Sequence, residues 1–555
     1  MTRLVSSMEH LQPRLKWSAL VFVLMLASAG VACSSAAQPP AEKAPAAAEE
    51  QPQYGGTARL FGLSSPVHMD MIATADSGQS RATGGIYERL VDFDYSDHNW
   101  DVNRVVVPAL AERWEMTPDG KNYTFFLRKG VKYHDGEEFT AADVLFTYNR
   151  VIKEKTPLLN NLRDVDQIEA PDPYTVKITT RVADVTFLGG LTTVNLGIQP
   201  KHAADKGVDF RKVAIGTGPF KLGSNDVTTK TEWLKNENYW QKGLPYLDRV
   251  EVIWPLDKSG MIAAFASGVL DTTGLSNQAD FDTLRKVVPS LQFIKGPFGS
   301  ATDLYINIEH PAFKDIRVRR AMHLAVDRQE LAKLISGGDL WLNCVFPSVL
   351  EVCPPGMEQT PGFRQPKDAD IAEGKRLMAE AGYPNGFEFK MTYSLQFTQS
   401  VPLVEPFVGF MARIGIKVIP DGRDTATYRE IQRQGNYDAF LINMLGTEPA
   451  VNLYGYLHSK GTFNKHGTGS PALDRLIEQQ TQAFDPKERK KLLAETARLL
   501  MDGLWTTTMV DATQYLMAQA WLKGPMVLNT VSNGSFAPAQ VMGTSWIDQK
   551  LAPKR

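Results

Sequence analysis

Tyr123, Phe125 and Leu127 alternate with Thr124, Phe126 and Arg128, the period of a strand with one face buried. Thr117-Pro118-Asp119-Gly120 just upstream supplies turn chemistry, so Trp114 to Leu127 reads as a β-hairpin. Thr57 to Phe61 reads as an earlier strand, and Gly84 to Val91 as a short helical segment running into the next element. Asp135-Gly136 marks a second turn, and Thr140 with Asp143 three residues on marks a helix N-cap ahead of Val144, Leu145 and Tyr148. Between Pro311 and Gly338 the period becomes helical. Val318, Ala321, Met322 and Ala325 share one face; Asp327 then caps a second helix through Leu331, Leu334 and Ile335, with Glu330 at the capping-box position and Gly337-Gly338 as the stop. Phe387, Phe389, Met391 and Tyr393 alternate as a strand, Pro402 to Ile414 forms a helix, and Ile416 to Ile419 is the next strand. That βαβ order predicts at least one α/β domain with a parallel sheet. Asp438 to Met444 adds a strand and Pro486 to Met501 a long amphipathic helix.

One apolar run has a different meaning. Arg14 and Lys16 lead into Trp17 to Ala29, about the length of a signal-peptide core and short of the roughly 20 residues a membrane span needs. Residues 1–32 therefore read as an export signal, and two processing routes remain open. Ala27-Ser28-Ala29 fits ordinary cleavage, whereas Gly30-Val31-Ala32-Cys33 resembles a bacterial lipobox with Gly30 in place of the usual aliphatic residue. In the second route Cys33 is lipidated and becomes the mature N-terminus. Residues 33–53, with Pro39, Pro40, Pro45 and Pro52 among Ala, Glu and Gln, cannot build a core and read as a disordered tether.

The chain has 555 residues, 43% of them hydrophobic, enough for two or three domains. Charge is balanced at 60 basic against 62 acidic residues, which leaves no basic field for nucleic acid. Cys344 and Cys353 remain after Cys33 and bracket a short loop. An exported chain with an even leftover pair points to a disulfide; zinc-like spacing to further His or Cys is absent.

Ile86-Tyr87-Glu88-x-Leu90-Val91, Pro108-Ala109-Leu110-Ala111-Glu112-x-Trp114 and Leu127 to Gly136 stand in a recognisable order. They are followed by Gly216-Thr217-Gly218-Pro219-Phe220, Asn236-x-x-Tyr239-Trp240, Asp315-x-Arg317-Val318-Arg319-Arg320-Ala321 and Glu380-Ala381-Gly382-Tyr383-Pro384. In this order the chain resembles the family 5 extracellular solute-binding proteins, the oligopeptide, dipeptide and nickel-binding components of ABC importers. The resemblance implies an α/β, two-lobed, periplasmic-binding-protein-like fold with an extra inserted domain and mixed sheets. Domain I would comprise residues 54–92, 214–300 and 520–555, domain II residues 93–213, and domain III residues 301–519. It also implies a small-molecule or peptide ligand held between closing lobes, permease transmembrane subunits as partners, a monomer, and a place in the periplasm or on the outer face of the cytoplasmic membrane, held there by the lipid anchor.

The same resemblance directs attention to the loop after Asp438, with Asn443, Met444, Gly446 and Glu448 as candidate ligand contacts. Peptide-binding members carry there an aspartate that pairs with the ligand's α-ammonium group. This chain offers Leu445 and Gly446, with Glu448 the nearest acid. Either Glu448 substitutes as the anchor or the ligand has no ammonium group to hold. A lost charge-assisted hydrogen bond is worth about 1.5–3 kcal/mol, or roughly one to two orders of magnitude in affinity. Ser64, Ser65 and His68 after the first strand, Tyr305 and Asn307 at the expected crossing into domain III, and Trp505 complete the candidates.

No catalytic machinery is legible. The chain lacks a Gly-x-Ser-x-Gly elbow, a His-Glu-x-x-His pair and a Gly-Lys-Ser/Thr loop, and its nine histidines do not pair at metal spacing. The expectation is a binding protein without cofactor or metal, with a solute sensor as the alternative and a secreted hydrolase as the weakest reading.

Overall fold

The computed structural model describes residues 51–62, 65–74, 77–95, 105–254, 257–297, 300–395, 400–445, 449–511, 513–525 and 539–553. The export signal, Cys33 and nearly all of the tether lie outside these residues, as do Ser64, Gly446 and Glu448. Among the described residues no helix is long and apolar enough to cross a membrane.

Four main sheets carry the architecture. In the first, Thr57–Phe61 runs parallel to Arg249–Ile253, which pairs antiparallel with Lys230–Lys235 and that strand with Phe220–Asp226. The second is the antiparallel set Ala111–Met116, Asn122–Leu127, Thr175–Thr180 and Val165–Asp172. The third places Gln514–Ala518 between Thr272–Leu275 and Gln292–Gly296. The fourth is mixed, in the order Lys417–Arg423, Glu388–Ser394, Ala439–Leu445, Ser300–Ile306, Thr506–Thr508, parallel across its first two pairings and antiparallel across the others. The βαβ unit therefore forms as expected, with antiparallel strands added on one side.

Local grammar accounts for most elements. Thr117 N–H donates to the Asn122 carbonyl at 3.0 Å, closing the expected hairpin, and Tyr123, Phe125 and Leu127 face inward. Thr140 caps the helix Ala141–Glu154, its own N–H donating to the Asp143 carboxylate at 2.8 Å. Asp327 accepts from the Glu330 N–H at 3.0 Å to start Arg328–Ser336, and Gly337 ends that helix at φ 64°. The Glu330 side chain does not return to the cap; it pairs with Arg413 at 2.9 Å.

The helical reading of Gly84 to Val91 is overturned. The helix is Ser77–Thr83, and the chain then turns and extends into the strand Val91–Phe93. A helix would need the carbonyls of residues 85–90 for bonds four residues on. Here they serve distant segments: Gly85 accepts from Phe220, Ile86 from Gly218, Glu88 from Ile198 and Arg89 from Leu110. Gly85 also lies under Trp233, where an added Cβ would fall 2.7 Å from Cζ3.

Candidate functional site

Two segments carry the chain between the three-stranded and five-stranded sheets. Gln292–Gly296 leads to Ser300–Ile306, and Thr506–Thr508 returns through Met509 to Gln514–Ala518. Extended crossings of this kind can absorb a rotation of one body against another in a few dihedrals. Register fixes what meets them. Ser300 stands opposite Leu445, Ala301 opposite Met444 and Thr302 opposite Asn443, so the strand Ala439–Leu445 ends where the first crossing enters the sheet.

Beneath the crossings lies a buried polar group of residues. Asp303 is fully buried, and neither carboxylate oxygen has a hydrogen-bond partner among the described residues. Burial, with the charge of Asp511 added, pushes its carboxyl well above the ordinary range, against the pull of Arg328. The Arg328 guanidinium, also buried, donates to the Thr508 carbonyl at 2.7 Å and lies 4.1 Å from the Phe363 ring centroid. On the return crossing Asp511 accepts from Asn343 Nδ2 at 3.1 Å and from both the N–H and Oγ of Ser348 at 2.7 Å. Burial still raises its carboxyl to about 7. Ser348 sits in the loop closed by the Cys344–Cys353 disulfide, so that bridge braces the segment holding the return crossing. Asp303 and Asp511 were absent from the sequence candidates, although an acid inside Ala301-Thr302-Asp303-Leu304-Tyr305 is a signal in itself.

The candidates are distributed unevenly around this crossing. Asn443 and Met444 reach it by register. Tyr305 and Asn307 lie away from the point of entry at Ser300, each further strand residue adding about 3.3 Å; Tyr305 stands opposite Thr506, the first residue of the return strand. Tyr305 pairs with Phe440 at the other end, stacks on its ring at 5.3 Å and belongs to a hydrophobic core. Asn307 builds a turn, its N–H donating to the Asp438 carbonyl at 2.8 Å and its Nδ2 to that of Tyr437 at 3.2 Å. Trp505 packs against the same core as Tyr305. His68 accepts the Asp70 N–H at 3.2 Å, and Asp70 in turn takes Arg150 Nη1 at 3.1 Å and Gln199 Nε2 at 3.0 Å. Ser65 is half-buried at the start of that segment.

A second polar centre explains several stretches that stood out in the sequence. The buried Glu88 carboxylate accepts from Thr217 Oγ1 at 2.9 Å, Tyr239 OH at 2.8 Å and Trp240 Nε1 at 3.0 Å. All three donors are neutral, and burial outweighs them, raising the carboxyl to about 7. Gly216 and Gly218 lie against the Ile86 carbonyl, where an added Cβ would fall 2.0 and 2.6 Å from its oxygen. Three sequence-distant stretches thus lock around one acid as scaffold.

Residues 105–464 match the bacterial extracellular solute-binding proteins, family 5, middle region. The chain belongs to this family. Heme-binding protein A of Haemophilus influenzae is 28% identical over 440 residues, covering 73% of this chain and 78% of that protein. Di/tripeptide-binding protein 1 of Pseudomonas aeruginosa is 26% identical over 467 residues, covering 78% of this chain and 84% of its own. The periplasmic binding protein DppA of Helicobacter pylori, solved with the peptide STSA, shares the fold at a TM-score of 0.76 and 24% identity, over 90% of this chain and 99% of that one. Family 5 is a family of solute-binding proteins, and its mixed α/β architecture is the one seen here.

Proposed function

We propose that this protein is the extracytoplasmic receptor of an ABC importer, closing two lobes over a peptide-like or other small polar solute and handing it intact to the permease. The observation that carries the reading is the pair of crossing strands with Leu445 delivered opposite Ser300. Ligand captured between bodies joined there turns binding energy into a change of shape that a membrane partner can read. The domain division 54–92, 214–300 and 520–555, then 93–213, then 301–519, is supported by hydrophobic cores centred in each part, although the second also takes in Ile72, Leu90 and Val91 and the first Val194 and Ala518. One gathers Ala58, Trp233, Val252 and Ile547, another Leu110, Phe125, Tyr148 and Ile178, and a third Leu304, Met322, Phe407 and Leu441.

Anchoring through Cys33 belongs to the same proposal, since a tethered receptor gains effective concentration at its permease without a new contact. Ligand contacts are assigned to Asn443, Met444, Gly446 and Glu448, with Ser64, Ser65 and His68 as further candidates. Relatives include a heme-binding and a di/tripeptide-binding protein, so the deciding experiment is a thermal-shift screen of di- to pentapeptides, hemin, opines, oligosaccharides and metal chelates. A ligand present at 100 times its Kd stabilises by about 2.7 kcal/mol. Peptides that raise the melt, with the rise abolished in Glu448→Gln, support Glu448 as ammonium anchor. A different class raising the melt while peptides do nothing removes the anchor. Turnover of any probe by the pure protein overturns the assignment as a non-catalytic receptor.

A further inference from the structure

The body built on the sheet around Asn122–Leu127 and the body built on the sheet around Ser300–Ile306 are not consecutive in the chain; residues 214–297 intervene through two other sheets. They nonetheless touch. The Val185 N–H donates to the Thr481 carbonyl at 2.7 Å. The Arg163 guanidinium lies 4.7 Å from the Tyr454 ring centroid, steadied by Asp164 at 3.0 Å. The Phe484 ring covers the hairpin turn at Gly120, which is at φ 68° and where an added Cβ would fall 2.5 Å from Cζ.

We infer that residues 105–213 latch onto residues 454–484 and so hold the closed form of the ligand-free protein, with Arg163 and Val185 on one side and Phe484 on the other as the positioning residues. The inference rests on the two-lobe closure proposed above. Three features favour a latch over a permanent interface. The contacts named are separable, and Phe484 keeps 39% of its surface exposed, so water can replace them on opening. Neither side's hydrophobic core draws a residue from the other body. The gripped elements also lead to the candidate ligand loop. Tyr454 lies on the helix Pro449–Leu457, which begins directly after residues 446–448. Its ring stacks on His458 at 4.3 Å, and His458 Nε2 reaches Glu478 at 3.1 Å on the helix Pro471–Gln482, which also supplies Thr481. Holding either helix therefore holds both, and with them the far end of the loop.

Amide hydrogen exchange on the full mature protein without added solute reads this directly, because the Val185 N–H is itself a latch bond. Phe125 and Leu304, central in their sheets, report on each body separately. Arg163→Ala is expected to speed Val185 exchange about fivefold, the size of an exposed cation–π contact. The double variant Arg163→Ala/Phe484→Ala should exceed tenfold, with Phe125 and Leu304 unchanged and the radius of gyration from solution scattering increased. Three results would overturn the latch: a Val185 amide unprotected in the native protein, Val185 exchange unmoved in the double variant or rising only in step with Phe125 and Leu304, or an unchanged radius of gyration. No ligand enters this test. A protein that binds no screened solute can still protect Val185, and one that binds without a latch still shifts its melt, so the two readings fail separately.

Discussion

Replacing Glu88 by glutamine isolates the consequence of burying a carboxylate among neutral donors. The folded chain takes up the Glu88 proton near pH 7 and the unfolded chain near 4.5. Between those values the folded state holds more protons, so stability falls as pH rises and levels off above 7. The displacement corresponds to about 3 kcal/mol at 1.36 kcal/mol per unit. Glutamine matches the shape and carries no charge to desolvate. Its oxygen can accept from Tyr239 and Trp240, and its amide can donate to Thr217 Oγ1, which turns from donor to acceptor.

Urea unfolding of the native protein and Glu88→Gln, measured in parallel from pH 5 to pH 8, reads this term as a gap in which other titrating groups cancel. The variant should lead by about 1 kcal/mol at pH 5 and by about 3 kcal/mol at pH 8. Glu88→Ala serves as the contrast, because it orphans the Thr217, Tyr239 and Trp240 donors and should lose stability at every pH. A gap that stays constant across the range, or a glutamine variant weaker at pH 8, would refute desolvation as the governing effect.

Asp303→Asn should raise the urea midpoint at pH 8, with the gain shrinking towards pH 4, because a carboxyl held far above its unfolded value loses stability as pH rises. Removing the disulfide by Cys344→Ser/Cys353→Ser should lower stability by about 2–3 kcal/mol, the chain-entropy value for so short a loop, as measured by denaturant titration; an unchanged midpoint would show that the loop is held without it. Gly216→Ala and Gly130→Ala separate two kinds of glycine. The first should abolish soluble folded protein in an expression and melting assay, since its Cβ would strike the Ile86 carbonyl. The second has open space at φ 73° and should cost only about 1–2 kcal/mol.

What the sequence reveals depends on the range of the forces involved. The hairpin at Thr117 to Gly120, the caps at Thr140 and Asp327 and the βαβ unit from Phe387 to Ile419 follow from residues within a few positions of one another, and these expectations hold. Gly84 to Val91 fails for the opposite reason: its local pattern suits a helix, but its carbonyls are claimed by Gly218, Phe220 and Ile198, which no local window contains. Tyr305 and Asn307 show the same limit at the site. Which end of the strand Ser300–Ile306 meets the crossing depends on pairing with Ala439–Leu445, and that register assigns Tyr305 to a core and leaves Asn307 to the turn after it. Asp303 was the more informative residue on that strand. A lone acid at an inward strand position, fully buried, must be paired, protonated or solvated by something else, and the choice among these rests on Arg328 and Asp511, both distant in sequence. Residue types mark where such polar groups enter the interior; the topology decides which of them meet at a crossing between sheets.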